Sequence, residues 1–247
     1  VCSSDLDPVL RDFARVHARV YADVGISHAD ASKGLGHYYC DWYHNPYVYQ
    51  RFEGLVLAYL VTGDAWWFET AQAMADYCVR AWEEGEPRDG HLKGGYGGVQ
   101  HRSAYIAKML LRLYEITGDE KYADTAVRLA KWIMPKQEPE GWWTQTPHSN
   151  REFRNSPIFA GYTAMGLWPL YWATKNAELR LCLMKTVDYH LGMQEDVNGN
   201  NPGTFPNSYW YGDVITKDTP IEGNYATTSH WAHIMLNALR LTEDPRY

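Results

Sequence analysis

Four stretches of this chain concentrate side chains that can hold and transform a polar ligand. Asp41-Trp42-Tyr43-His44-Asn45 sets an acid, two aromatics, an imidazole and an amide side by side. A glycine-rich run around Tyr96 leads into Gln100-His101-Arg102. Gly141-Trp142-Trp143 precedes His148 and the polar stretch that holds Arg151 and Arg154, and Tyr209-Trp210 precedes Asp213 and Lys217. Such sets suit two kinds of chemistry. Removing a proton α to a carboxylate requires Arg or amide donors to neutralise the carboxylate, with Tyr or His as base and acid. Tyr43, His44, His101 and Arg102 supply that set and are the candidate catalytic residues. Hydrolysis of a glycosidic bond instead requires two carboxyl groups, for which Asp41, Glu152, Asp213 and Glu222 are available. Trp42, Asn45, Tyr96, Gln100, Trp142, Trp143, Arg151, Arg154, Tyr209 and Trp210 are the candidate substrate contacts. Aromatic rings stack on sugar faces and Arg forks take carboxylates bidentately.

Each cluster has a plainer reading. Trp66-Trp67-Phe68 and Trp231 fall within helical runs and suit a core, as do His190 and His233. Trp142-Trp143 fits a core as well as a ligand platform. The glycines from Gly94 to Gly98 lack the Lys-Ser/Thr of a phosphate loop, so they suit a cleft edge. Apart from Cys2, the cysteines Cys40, Cys78 and Cys182 are widely spaced and outline neither a disulfide framework nor a paired-Cys zinc site. No metal and no cofactor is expected.

What must position these residues is a recurring junction: Thr62-Gly63-Asp64, Thr117-Gly118-Asp119, Thr174-Lys175-Asn176 and Thr242-Glu243-Asp244. The copies stand about 55, 57 and 68 residues apart, the spacing of a repeated two-helix unit. Each follows an apolar helical run, and the first three lead into a second, amphipathic one. Glycine past a helix end and Asp or Asn capping the next helix make this a structural turn. After a helix over about 8–22, the spacing predicts inner helices over 46–61, 99–116, 157–173 and 225–240. Outer helices begin near Ala65, Glu120 and Asn176. Turns from inner to outer helix are short. The returns, over 23–45, 84–98, 135–156 and 194–224, are long, and long loops within a compact domain are usually functional. In an antiparallel array they emerge at one end, which places the aromatic, His, Arg and Asn side chains in one cleft beside inner-helix N-termini.

Composition narrows the partners. A net charge of −7 argues against nucleic acid, and no apolar run reaches the ~20 residues that span a bilayer. The 19 Tyr and 11 Trp against 6 Phe favour rings with a polar edge, at surfaces and clefts. An oligo- or polysaccharide is the expected partner. Val1 to Leu6 resembles the translated read-through of a sequencing adapter and is set aside from the fold.

Asp41-Trp42-Tyr43-His44-Asn45, followed by Gly54-Leu55 and Tyr59-Leu60-Val61-Thr62-Gly63-Asp64, resembles the toroid domain of exo-acting rhamnogalacturonan and ulvan lyases. More broadly, the repeated hairpins resemble the (α/α) toroids of carbohydrate-active enzymes. The resemblance covers roughly residues 36–135. It implies an all-α fold, an incomplete (α/α) toroid over 7–247 truncated at both ends. It also implies an enzyme acting on a uronate-containing glycan by β-elimination. A secreted or periplasmic compartment is the expectation, separate from the resemblance. The first alternative is a toroid glycoside hydrolase using a carboxylate pair. A toroid sugar epimerase would set His44 against His101 or His230. A glycan-binding module would keep the aromatics but need no His-Arg cluster.

Overall fold

The computed structural model describes residues 8–24, 26, 28, 33–34, 52–84, 100–145, 153–154, 157–194, 205–206 and 223–247. These residues are almost wholly helical: α1 (Pro8–Val24), α2 (Glu53–Thr62), α3 (Ala65–Glu84), α4 (Gln100–Thr117), α5 (Glu120–Ile133), α6 (Pro157–Thr174), α7 (Ala177–Leu191) and α8 (Tyr225–Thr242). The only strands among them are two antiparallel ladders of two-residue strands. One pairs β1 (Thr144–Gln145) with β2 (Phe153–Arg154), and the other pairs β3 (Phe205–Pro206) with β4 (Gly223–Asn224). The boundaries follow the repeat closely. The expected start of the first inner helix, at residue 46, lies outside the described residues, and α2 is described from Glu53.

The junction follows one plan at all four sites, differing only in the reach of the last cap. Gly63 and Gly118 have φ of 72° and 68°, and Lys175 and Glu243 adopt the same left-handed conformation at 53° and 58°. At each, that residue's N–H donates to the carbonyl four residues back: Tyr59, Tyr114, Tyr171 and Leu239, at 2.7–2.8 Å. The threonine hydroxyl donates to the helix (Thr62 to Ala58, Thr117 to Leu113, Thr174 to Leu170, Thr242 to Ala238) and accepts from the N–H two residues on. Asp64, Asp119 and Asp244 then accept from the N–H two residues ahead, and Asn176 from Leu179. The threonine and the Asp or Asn therefore carry the turn, and the left-handed residue need not be glycine.

The chain divides into two compact units, Val1–Lys93 with Met109–Ala123, and Gly94–Lys108 with Asp124–Tyr247. In the first, α2 packs on α1 and α3, with Phe52, Leu55, Met74, Ala75 and Cys78 buried. Arg19 lies over the Trp66 ring at 4.1 Å. The Tyr122 hydroxyl donates to Asp76 at 2.7 Å, and Lys121 pairs with the same carboxylate at 3.0 Å. Burial, reinforced by Asp76, pushes the Tyr122 phenol up to about 12.

In the second unit α6 is the central element, packed against α7 and α8. Its buried residues surround the axis, from Ile158 and Ala160 to Leu167, Trp168 and Tyr171, the signature of a helix enclosed by others. The outer helix α7 buries Leu179, Cys182, Leu183, Thr186, Val187 and His190 and exposes its other face. Burial raises the Cys182 thiol to about 12, so it is an inert core group.

Candidate functional site

The inner helices of the second unit meet at two close approaches. Gly166 on α6 lies so near Ala104 on α4 that a Cβ at 166 would overlap the Ala104 carbonyl group and side chain. Absence of a side chain is what allows the backbones to touch there. On the other flank, Trp231 of α8 is fully buried and its Nε1–H donates to the Pro157 carbonyl in the first turn of α6, at 3.2 Å. Phe205 stacks on Trp231 at 5.4 Å, and its backbone N–H donates to Thr228 Oγ1 at 3.0 Å. These contacts tie the β3–β4 ladder and the start of α6 to the start of α8.

The result is a row of rings at one level. Tyr105, Tyr162 and His230 are each the sixth residue of their helix, α4, α6 and α8. Tyr105 and Tyr162 have ring centroids 5.5 Å apart at 56°, and Tyr162 meets His230 at 4.7 Å and 63°. All three are half-buried, whereas the residues one turn further along, Met109, Gly166 and Ile234, are buried. The row therefore caps the packed interior. Arg102 precedes Tyr105 by three positions, hence lies on the same face of α4. It is half-buried with its Nε enclosed. His230 has Nδ1 buried without a hydrogen-bond partner. Burial holds its pKa below the usual histidine value, so the ring is neutral at neutral pH.

The expected site residues fare differently. Arg102 joins this row. Gln100 and His101 open α4, and Arg154 lies in β2 opposite Thr144; their side chains are outside the described part. Trp42, Tyr43, His44, Asn45, Tyr96, Arg151, Tyr209 and Trp210 lie outside the described residues, as do Asp41, Glu152, Asp213 and Glu222. Trp142 and Trp143 are described, and their exposure is 9% and 1%. Neither ring presents a solvent-facing platform here. The reason is local: Gly141, at φ 115°, lies directly against the Lys185 carbonyl of α7. Gln137 Nε2 donates to the Cys182 carbonyl and to Thr186 Oγ1, at 2.8 and 2.7 Å, drawing this turn down onto the helix. Among the described residues no group of three or more His, Cys, Asp or Glu side chains could hold a metal ion.

Tyr105 and Tyr162 were not among the expected site residues, and His230 entered only with the epimerase alternative. Both tyrosines sit in runs that read as core, Tyr105-Ile106-Ala107 and Gly161-Tyr162-Thr163. The signal that finds them is their shared register from the start of each inner helix.

Comparison with known proteins agrees with this architecture. Over 98% of its length the chain superposes on an unsaturated glucuronyl hydrolase mutant from Streptococcus agalactiae, with a TM-score of 0.66 and 17% identity, spanning 57% of that chain. Over 95% it superposes on an inactive variant of the alpha-1,6-mannanase GH76A of Salegentibacter sp. HEL1_6, solved in complex with alpha-1,6-mannotetrose. There the TM-score is 0.64 at 12% identity, and the chain spans 65% of that protein. The fold is thus all-α, of the (α/α)-toroid class. No curated protein matches the sequence. The model of the beta-L-arabinofuranosidase GH127 catalytic domain matches residues 26–166. The lyase-specific part of the resemblance gains no support, and the glycoside hydrolase alternative fits the findings better. Matched over more than half its residues, the chain belongs to the beta-L-arabinofuranosidase GH127 catalytic domain family.

Proposed function

We propose that this chain is catalytic-domain sequence of a glycoside hydrolase that cleaves an L-arabinofuranosidic bond. The observation that carries the reading is the family match over residues 26–166, a span that includes Arg102, Tyr105 and Tyr162. Hydrolysis of such a bond needs a proton on the leaving oxygen and a nucleophile, or an activated water, at the anomeric carbon. In this reading two of Asp41, Glu152, Asp213 and Glu222 supply those groups. Tyr43, His44 and His101 bind and orient the sugar rather than abstract a carbon-bound proton.

A uronate-bearing glycan is the second reading for the substrate, supported by Arg102 on the same face of α4 as Tyr105, since Arg is suited to carboxylate recognition. The test is to incubate the protein with arabinofuranosyl-substituted glycans and with uronate-containing polysaccharides and to identify the products. Release of free L-arabinose supports the proposal. Release of a saturated uronic acid supports the second reading, and an unsaturated product returns the chemistry to β-elimination.

A further inference from the structure

We infer that Tyr105, Tyr162 and His230 form the floor of a sugar-ring subsite, where His230, with its proton on Nε2, donates a hydrogen bond to a sugar oxygen. The inference rests on the glycosidase reading and adds the residues that seat the sugar. His230 lies beyond the residues matched by the family model, so its assignment comes from the geometry alone.

Three observations converge. First, the three rings stand at one level on three neighbouring helices and keep part of their surface exposed above buried Met109, Gly166 and Ile234. Tyr combines an apolar ring with a hydroxyl, which suits a surface that must hold a sugar's C–H face and meet its hydroxyls. Second, the rings meet edge to face or tilted, at 63° and 56°, rather than stacked. Such a contact takes a face of only one of its two rings.

Third, the two nitrogens of His230 differ. Nδ1 is enclosed without a partner, and Nε2 is not among the enclosed unpartnered atoms. A buried N–H left unpaired is rarer in native proteins than an unpaired acceptor. The proton therefore belongs on Nε2, with Nδ1 a bare lone pair facing inward. A neutral imidazole in that tautomer is a directed donor, matched to a hydroxyl or ring oxygen. Burial keeps the ring uncharged, consistent with a neutral sugar as ligand.

The experiment uses ¹⁵N-labelled protein and the variants His230→Phe and Tyr162→Ala. Imidazole ¹⁵N shifts should report the Nε2–H tautomer, perturbed on addition of L-arabinose. His230→Phe keeps a ring against Tyr162 but removes both nitrogens. It should raise KM for a nitrophenyl L-arabinofuranoside about tenfold, the worth of roughly one hydrogen bond. Its Tm should be unchanged or higher, because a buried atom without a partner is gone. A purely structural His230 predicts the reverse: a lower Tm with KM unchanged in the folded protein. Tyr162→Ala should raise KM at least as much.

Outcomes separate the two claims. If L-arabinose is released and both variants keep the parent KM, the floor is overturned and the glycosidase reading stands. If D-glucuronate or D-mannose perturbs His230 while L-arabinose neither binds nor is released, the floor stands and the arabinofuranoside reading falls. A His230 that is protonated on Nδ1, or that no sugar perturbs, overturns the floor.

Discussion

His190 lies flat on Trp231, with ring centroids 4.3 Å apart and planes 22° apart, and the imidazole has no exposed surface. Its Nδ1–H donates to the Thr186 carbonyl at 2.8 Å. Burial pushes its pKa down to about 4, outweighing the Thr186 hydrogen bond, which acts in the opposite direction.

That burial makes stability depend on pH. Unfolded, the ring takes a proton near 6.5; folded, near 4. Between the two values the unfolded chain binds more protons, so stability rises with pH. The contribution is complete above the unfolded value and is lost as pH falls through the folded one. It amounts to about 3 kcal/mol. Urea unfolding at about pH 7 and about pH 4 should show that loss in the parent protein and a smaller one in His190→Gln, which cannot gain the charge. Equal losses in the two would remove His190 as the cause.

Gly166 is the second test of packing. Adding a methyl group there forces α4 and α6 apart at Ala104. Gly166→Ala should cost about 1–3 kcal/mol in urea unfolding, the usual range for overpacking. It should also raise KM, because Tyr105 and Tyr162 flank that contact. A Gly166→Ala protein with parental stability would mean that the two backbones do not touch.

The four junctions give a prediction of the opposite sign. Glu243 occupies the left-handed region at φ 58°, where a side chain costs energy that glycine avoids. Glu243→Gly should stabilise the protein by about 0.5–1 kcal/mol. Gly118→Ala should destabilise it by about 1–2 kcal/mol; its Cβ would meet open space, so the cost is conformational. Thermal unfolding of both variants checks the pair, and shifts of the same sign would contradict the conformational argument.

The repeat was legible in the sequence because local chemistry writes it. Thr62 and Asp64 cap, bridge and stop the chain with atoms from the same few residues, so the pattern survives where glycine is replaced at Lys175 and Glu243. The outer helices begin where their caps place them. The row of rings was less legible, because it depends on register between helices distant in sequence. Tyr105 meets Tyr162 only because Gly166 lets α4 approach α6, and nothing near Tyr105 announces Gly166. Trp142 and Trp143 show the converse. A Gly-Trp-Trp loop fits a platform as well as a core until Gln137 is seen reaching the Cys182 carbonyl, a partner distant in sequence. The expectation of β-elimination over hydrolysis rests on the side-chain types and on the lyase resemblance of residues 36–135; the resemblance gains no support, and His, Arg and Tyr serve sugar binding as readily as proton abstraction.

Catalytic carboxylates make a further prediction. Replacing each of Asp41, Glu152, Asp213 and Glu222 by its amide should identify two positions where turnover falls by at least ~10²–10⁴-fold with Tm preserved, the worth of a positioned acid or base. His101→Ala should mainly raise KM. Loss of turnover in His101→Ala, with all four amide variants active, would favour proton abstraction by histidine instead.

The central claim is hydrolysis of an L-arabinofuranosidic bond, and the most direct measurement is the fate of water in the product. Run in heavy-oxygen water with an arabinofuranosyl-substituted glycan, the reaction should place one heavy oxygen on the anomeric carbon of released L-arabinose, read by mass spectrometry. A cleaved glycan whose fragments carry no heavy oxygen from bond cleavage and absorb ultraviolet light through a new conjugated double bond would contradict the account.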